Sequence, residues 1–285
     1  MKIAVAGLGL IGASCAGAIK AYTEDEVVGI DLSADVLAQA QRDGVIDSAN
    51  PQDITQARLV LIALWPGAAR EFFTEYLEIF GKNAVLIDFC GVKRALRRDA
   101  REALAARPDL VYIGGHPMAG RERWGYEYAS PALFQGASMI LTPDADTPPE
   151  TLAWAEDFFR RLGFAGVVRT SPERHDRVVA LTSQLAHIVS SAYVQNPLAL
   201  EHQGLSAGSF ADMTRVARLN EDMWTELFLR NSDYLTGHLD DLIERLAAFR
   251  AALAAGRAEE LREMLARGRE RKEALEALEL LSEAK

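Results

Sequence analysis

The sequence predicts an α/β domain on a doubly wound parallel sheet over residues 1–170, followed by an all-helical domain over residues 171–285. Three observations carry this. Short apolar runs alternate with helix-length amphipathic stretches through the first part, the pattern of strands joined by right-handed crossover helices. The first of these runs leads directly into Gly7-Leu8-Gly9-Leu10-Ile11-Gly12 and an Ala-rich stretch. After Thr170-Ser171-Pro172-Glu173 no convincing strand pattern remains.

Lys2–Ala6 reads as a buried strand, and the helix after it runs to about Lys20. Gly7 suits the tight turn between them, Gly9 the close approach of a pyrophosphate, and Gly12 the packing of helix on strand. The amides of Leu10 and Ile11 open the helix toward the phosphates. A second strand, Glu26–Ile30, ends in Asp31, the acid expected on the ribose hydroxyls of a nicotinamide dinucleotide. Asp31 would repel a 2′-phosphate and no arginine follows it directly, so the expected cofactor is NAD. Strand, turn, helix, strand and acid together mark a Rossmann-type domain.

Leu59–Leu64 is the next strand, closed by Trp65-Pro66-Gly67, with a helix through about Phe80. Ala84–Asp88 follows, then a helix from about Val92 to Arg107 carrying Lys93, Arg94, Arg97, Arg98 and Arg101. The outer part of this basic helix reads as a solvated face, and Lys93 and Arg94 at its start either share that face or add to an anion-attracting field. Leu110–Ile113 is the strand that leads into Gly114-Gly115-His116-Pro117-Met118-Ala119-Gly120. Strands Ala137–Leu141 and Ala165–Arg169 flank a helix opened by Thr147-Pro148-Pro149-Glu150.

In the second part, Ser171 can cap a helix over about Pro172–Gln195, whose Val178, Val179, Leu181, Leu185, Ile188 and Val189 predict burial among other helices. Gln184 and His187 share one face of it and can point together into a cleft. A flexible Gly204–Gly208 connection leads to a helix over Ser209–Val216, on which Asp212 and Arg215 stand one turn apart. That spacing allows an intrahelical ion pair, and it also offers the residue type best suited to grip a carboxylate with two parallel hydrogen bonds. Residues 240–285 read as two amphipathic helices broken near Gly256, suited to packing or dimerisation.

Composition narrows the function. The chain has 285 residues, 49% hydrophobic and 25% charged, with net charge −10, which argues against nucleic acid as a partner but leaves room for a small anionic substrate where basic residues gather. No apolar run reaches the length of a membrane span, and no cleavage site follows the N-terminus, so a cytoplasmic protein with no membrane partner is expected. Two cysteines, Cys15 and Cys90, and five scattered histidines form no metal-ligand spacing.

The seven residues around His116 invite a reading as a reaction centre. Two glycines would let a loop bring its backbone close to a ligand, and Pro117 would fix how the imidazole is presented. The same histidine can equally be satisfied in an ordinary turn.

Together, Gly7–Gly12 with Asp31, Gly114–Gly120 followed by Arg121-Glu122, the Thr182–His187 helix, and Gly208–Arg215 with Trp224 resemble the prephenate dehydrogenase family over nearly the whole chain. The resemblance implies an NAD-binding domain, a helical dimerisation domain and hence a homodimer, and conversion of prephenate to 4-hydroxyphenylpyruvate on the route to tyrosine. It implies His116 as the base for the substrate hydroxyl, the histidine's pKa being expected near ~6.5 unless a glutamate or burial moves it. It places Arg215 on a substrate carboxylate, His187 near the other polar end, Glu122 as a gate or pKa-setting neighbour, and Trp224 as a wall, with Gln184, Gly208 and Asp212 also lining the substrate. Many relatives carry serine where this chain has Gly91, with Cys90 or water as substitutes, and histidine where it has Gln184. Arogenate dehydrogenase, acting on the amino analogue, is the nearest alternative. A 3-hydroxy acid dehydrogenase would be expected to carry a lysine on the interdomain helix, which Pro172–Gln195 lacks, and a dinucleotide sensor would have no use for His116 and Arg215 together.

Overall fold

A computed structural model describes residues 1–121 and 123–283, the side chains of 279–283 excepted. Seven strands form one sheet: β1 (Lys2–Ala6), β2 (Glu26–Ile30), β3 (Leu59–Ile62), β4 (Val85–Asp88), β5 (Val111–Pro117), β6 (Ser138–Pro143) and β7 (Gly166–Arg169), in the spatial order β2-β1-β3-β4-β5-β6-β7. The order reverses between β1 and β3, so a crevice opens at the carboxyl ends of the strands, where α/β sheets bind their ligands. Helices α1 (Leu10–Tyr22), α2 (Ala34–Arg42), α3 (Pro66–Glu75), α4 (Arg94–Ala103) and α5 (Pro149–Arg161) cover the sheet.

The strand sequences read as continuous apolar runs because both faces are covered. Ile3, Val5, Leu59, Leu61, Val85 and Ile87 pack toward Ala13, Ala16 and Ile19 of α1 and Phe158 and Phe159 of α5. The alternating residues Ala4, Ala6, Val60, Ile62 and Leu86 pack toward Phe72 and Phe73 of α3 and Leu96 and Ala100 of α4. Polar substitution on either set would place an unpaired group in a dry layer.

The sheet departs from the expected all-parallel plan at one place. β5 and β6 run antiparallel, with His116 opposite Ile140, and between them lies one 3₁₀ turn, Tyr126–Tyr128, in place of a crossover helix. β5 is also three residues longer than the apolar run that predicted it, because Gly114, Gly115 and His116 continue the ladder. The two glycines therefore serve packing, not loop freedom: a Cβ on Gly114 would sit 2.3 Å from Thr142 Oγ1, and one on Gly115 2.6 Å from the Asp88 carbonyl oxygen.

Beyond the sheet, α6 (Pro172–Val179) is capped by Ser171 and runs through a π-helical segment, Ala180–Leu185, into α7 (Ala186–Val194). The expected helix over 172–195 is thus continuous but carries a wide turn, a feature that often re-aims side chains near functional sites. It is not buried all round, since Val178 and Leu181 are 45% and 52% exposed. α8 (Gly208–Thr214) and α9 (Glu221–Arg230) follow, then α10 (Ser232–Ala254) and α11 (Ala258–Glu283). The break foreseen near Gly256 is a left-handed C-cap: Gly256 has φ +63°, its N–H donates to the Leu253 carbonyl and the Arg257 N–H to the Ala252 carbonyl.

By contacts the chain divides into a unit of Met1–Leu235 and a unit of Thr236–Lys285. The change from strands to helices at 170 does not mark that division, because α6 and α9 tie themselves to the sheet domain through the buried polar cluster described next. Among the described residues no helix is long and apolar enough to cross a membrane.

Candidate active site

At the first crevice the cofactor-binding expectation can be set against geometry. Gly7 has φ +83°, and a Cβ on Gly12 would lie 1.7 Å from the Gly7 carbonyl oxygen, so neither position admits a side chain. Above Gly9 no atom lies within 4 Å of where a Cβ would stand, and no side chain caps α1. Open space therefore faces the amide end of a helix beginning at Leu10 and Ile11, a cradle suited to phosphate oxygens. Asp31 closes the site from β2. Its carboxylate accepts from the N–H of Leu8 at 2.7 Å and of Ser33 at 2.9 Å, which aims it without exhausting its lone pairs. These residues fit a dinucleotide.

His116 sits on β5, partly buried, and its Nδ1 lies 2.9 Å from Nε2 of His175 on α6. His175 Nδ1 lies 2.8 Å from the Asp176 carboxylate. Both partners are buried, His175 to 3% exposure and Asp176 to 0%. Asp176 accepts further hydrogen bonds from the backbone N–H of Lys93 (2.8 Å) and Arg94 (2.9 Å) and from Arg94 Nε (3.2 Å). With so many donors it is an acceptor only, so the proton on His175 must be on Nδ1 and its Nε2 must accept from His116 Nδ1–H. The network thereby assigns the free lone pair of His116 to Nε2.

Electrostatics keep that lone pair available. Burial, then the neighbouring His175 and Lys93, hold His116 well below the ordinary 6.5. His175 is lowered too, by burial first, against the pull of Asp176. Burial alone would raise Asp176, but its hydrogen bonds from His175 and the Arg94 and Lys93 amides outweigh that and hold it below the usual carboxylate range.

The outer part of the basic run is solvated as expected, with Arg98 and Arg101 exposed, but its start turns inward. Lys93 is 1% exposed, and its Nζ donates to the Asp88 carboxylate and to the Gly115 carbonyl, beside His116. Asp88 also accepts from Tyr112 Oη (2.7 Å) and the Cys90 N–H (2.9 Å). Arg94 pairs with Asp176 and Asp233 and donates to Asn231 Oδ1 at 3.0 Å. A single junction, β4 to α4, thus supports both Asp176 and the strand that carries His116.

The other expected site residues divide. His187 is half-buried, donates from Nδ1 to the Ser183 carbonyl (2.8 Å) and stacks on Trp224 with ring centroids 4.0 Å apart. Burial, with Arg215 adding to it, lowers its pKa. Arg215 follows α8 and lines a cavity of about 500 Å³ with Arg121, Arg123, Tyr128 and Arg218. Gln184 shares the α9-facing side with His187, as expected, but it is not presented to a cleft. Its Nε2 donates to the Leu227 carbonyl (3.3 Å) and its Oε1 accepts from Asn231 Nδ2 (2.8 Å), so both polar ends are occupied at 2% exposure. Asp212 is exposed, and Gly208 is exposed at the start of α8. Glu122 lies outside the described residues. At Gly91 a Cβ would be 3.6 Å from Leu227 and 4.0 Å from His116 Cε1, so the position adjoins the imidazole but, as glycine, presents no hydroxyl to it. Cys90 does not substitute, because its thiol donates to the Leu64 carbonyl at 3.0 Å.

Sequence reasoning missed His175, Asp176, Asp88 and Asn231, and did not foresee that Lys93 would be buried. The one trace available was an adjacent His-Asp pair in the first turns of a helix, and its meeting with His116 joins positions 59 residues apart.

The family model for the prephenate dehydrogenase nucleotide-binding domain matches residues 15–168, and that for the prephenate dehydrogenase dimerization domain matches residues 171–267. The chain belongs to the prephenate dehydrogenase family. Among its relatives, a cyclohexadienyl dehydrogenase of Zymomonas mobilis is 33% identical, covering 88% of both chains, and a prephenate dehydrogenase of Bacillus subtilis is 31% identical over 91% of this chain and 72% of that one. The structure of prephenate dehydrogenase from A. aeolicus, in complex with hydroxyphenyl propionate and NAD+, superposes with a TM-score of 0.86 at 26% identity, covering 96% of this chain and 98% of that one. The fold is accordingly a Rossmann-type nucleotide-binding domain followed by the family's dimerisation domain, and the enzyme is an NAD-dependent oxidoreductase.

Proposed function

We propose that this member catalyses the oxidative decarboxylation of prephenate to 4-hydroxyphenylpyruvate, with His116 as the base. The observation that carries this is the chain of hydrogen bonds from Asp176 through His175 to His116, which leaves His116 Nε2 as an unprotonated acceptor. When bound, NAD supplies the acceptor for the hydride that leaves the ring carbinol carbon. His116 takes the hydroxyl proton from the same carbon's oxygen as that bond breaks. Loss of the ring carboxylate as CO2 sends its bonding pair into the ring and onto that oxygen, which recovers a proton from His116 to give the phenol. Charge balances without net proton release, so a base that must hold the proton only briefly suffices. His175 steadies the imidazolium, and Asp176 fixes the tautomer.

The cradle of Gly7, Gly9, Leu10, Ile11 and Gly12 would hold the pyrophosphate and Asp31 the ribose. NAD is expected over NADP, because a 2′-phosphate would meet the Asp31 carboxylate. Comparable kcat/KM with the two cofactors would exclude that role for Asp31. Arg215 would grip a carboxylate, with His187 and Trp224 forming the adjoining wall. Arg215→Lys retains charge but loses the paired geometry, so kcat/KM should fall by about 2–4 kcal/mol in transition-state terms while NAD affinity and melting temperature hold. A fall in melting temperature alone, with kcat/KM preserved, would reassign Arg215 to the scaffold.

The dimerization-domain match and the exposed Val178, Leu181, Leu198 and Leu205 support a homodimer, to be read by sedimentation equilibrium. The reaction itself is tested by mixing purified protein, prephenate and NAD and following the reduced-nicotinamide absorbance. Appearance of 4-hydroxyphenylpyruvate with equimolar reduced cofactor is expected, and its absence would overturn the assignment.

A further inference from the structure

We infer that Arg218 and Arg123 form, beside Arg215, a subsite that reads a 2-oxo acid side chain and excludes its 2-amino analogue, so that this enzyme discriminates against arogenate. The inference rests on the reaction proposed above and concerns the same site.

The cavity of about 500 Å³ is lined by four guanidinium groups and one phenol: Arg121, Arg123, Arg215, Arg218 and Tyr128. An adjoining cavity of about 280 Å³ shares Arg123, Arg218 and Tyr128 and adds Trp124 and Glu127. Among the described residues, four cations thus face one carboxylate, in a chain of net charge −10. Such local reversal of sign is what an anion-selective pocket requires. Tyr128 organises one wall: its carbonyl accepts from Arg121 at 3.4 Å, its hydroxyl from Arg123 at 3.5 Å, and the Arg123 guanidinium lies 5.3 Å from its ring centroid. Arg215 and Arg218 form the other wall, three residues apart just after α8.

Arg121 and Arg123 follow, by four and six residues, the end of the strand that carries His116. Arg215 lies near His187, which stacks on Trp224, and three residues on in α9 Leu227 approaches position 91 together with His116 Cε1. The substrate has matching polarity. Its ring hydroxyl stands para to the carbon bearing the ring carboxylate and the side chain, so in the inferred pose the hydroxyl lies at His116 and the side chain at the arginines. Arg215 can then hold the side-chain carboxylate while the 2-oxo oxygen accepts from Arg218 or Arg123. In arogenate an ammonium replaces that oxygen and would face guanidinium groups at close range, a repulsive element of the kind that produces specificity.

The test compares prephenate with arogenate as substrates, and by calorimetry 4-hydroxyphenylpyruvate with tyrosine as ligands, for the wild type, Arg218→Gln and Arg218→Lys. Wild type should prefer the oxo compounds at least about tenfold in both readouts. Arg218→Gln should cut that preference at least about fivefold, mainly through KM for prephenate, with KM for NAD unchanged, and Arg218→Lys should largely keep it. A wild type that treats the two series alike, or a preference that Arg218→Gln leaves intact within about twofold, overturns the inference. No turnover of either substrate, with oxo-acid binding preference intact, would instead refute the proposed reaction and sustain the subsite.

Discussion

Replacing His116 with asparagine is expected to lower kcat by roughly 10²–10⁴ with little change in the dissociation constant for NAD. Asparagine keeps size and some hydrogen bonding at β5 but has no lone pair basic enough to take the hydroxyl proton. The pH profile supplies an independent check. A base works only when neutral, so kcat falls as pH drops through its pKa. Because burial, His175 and Lys93 hold His116 well below the ordinary 6.5, the acidic limb should lie below that value, not near it as an unperturbed histidine would place it. The fold must be monitored over the same range. His116 and His175 are both depressed, so the unfolded chain takes up protons first, and stability that is full above about 6.5 declines as pH falls toward the folded-state values. A variant that kept kcat within a few-fold, with the same limb, would move the base elsewhere, and His187 would be the next candidate.

Asp176→Asn should approach the same loss, roughly 10²–10⁴ in kcat, although residue 176 touches no substrate in the proposed reaction. Four N–H groups converge on the Asp176 carboxylate: His175 Nδ1, the backbone amides of Lys93 and Arg94, and Arg94 Nε. An asparagine has one oxygen for them, and its NH2 must oppose the rest. With the oxygen kept on Arg94, the NH2 faces His175 Nδ1, which must then accept. The His175 proton moves to Nε2, and the His116 proton is displaced onto the nitrogen that should receive the substrate's. Buried donors left unpaired would also cost about 1–3 kcal/mol of stability. The tautomer account requires kcat to fall far more than KM or NAD affinity changes. Loss of stability with kcat nearly intact would show Asp176 to be only a strut between α4 and α6.

Much of the architecture was legible because it rests on local rules. Runs such as Leu59–Ile62 and Val85–Asp88 admit few alternatives to buried strands, Gly7 and Gly12 have no tolerance for a Cβ, and Ser171-Pro172 and Gly256 mark helix ends by chemistry confined to a few residues. The glycines before His116 misled for the same reason: Gly114 and Gly115 look like loop residues locally, and only the approach of Thr142, Asp88 and Met139 makes them strand residues that must lack side chains. Gln184 carries the helical spacing of a cleft residue, yet Asn231 and Leu227 occupy its amide. Lys93 has the composition of a surface lysine, yet Asp88 and Gly115 receive it in the interior.

By itself, then, the sequence determined most of the strands and helices, the dinucleotide cradle with Asp31, and the presence of His116, His187 and Arg215 in recognisable surroundings, since each depends on neighbours within one or two turns of chain. Tertiary structure alone decided which nitrogen of His116 is free, because that depends on His175 and Asp176 arriving from another helix and on the β4–α4 junction donating to them. It also decided that four arginines from two separate segments share one cavity. Hydrogen-bond direction and local electric field are sums over groups brought together by folding, and chain spacing carries no record of them.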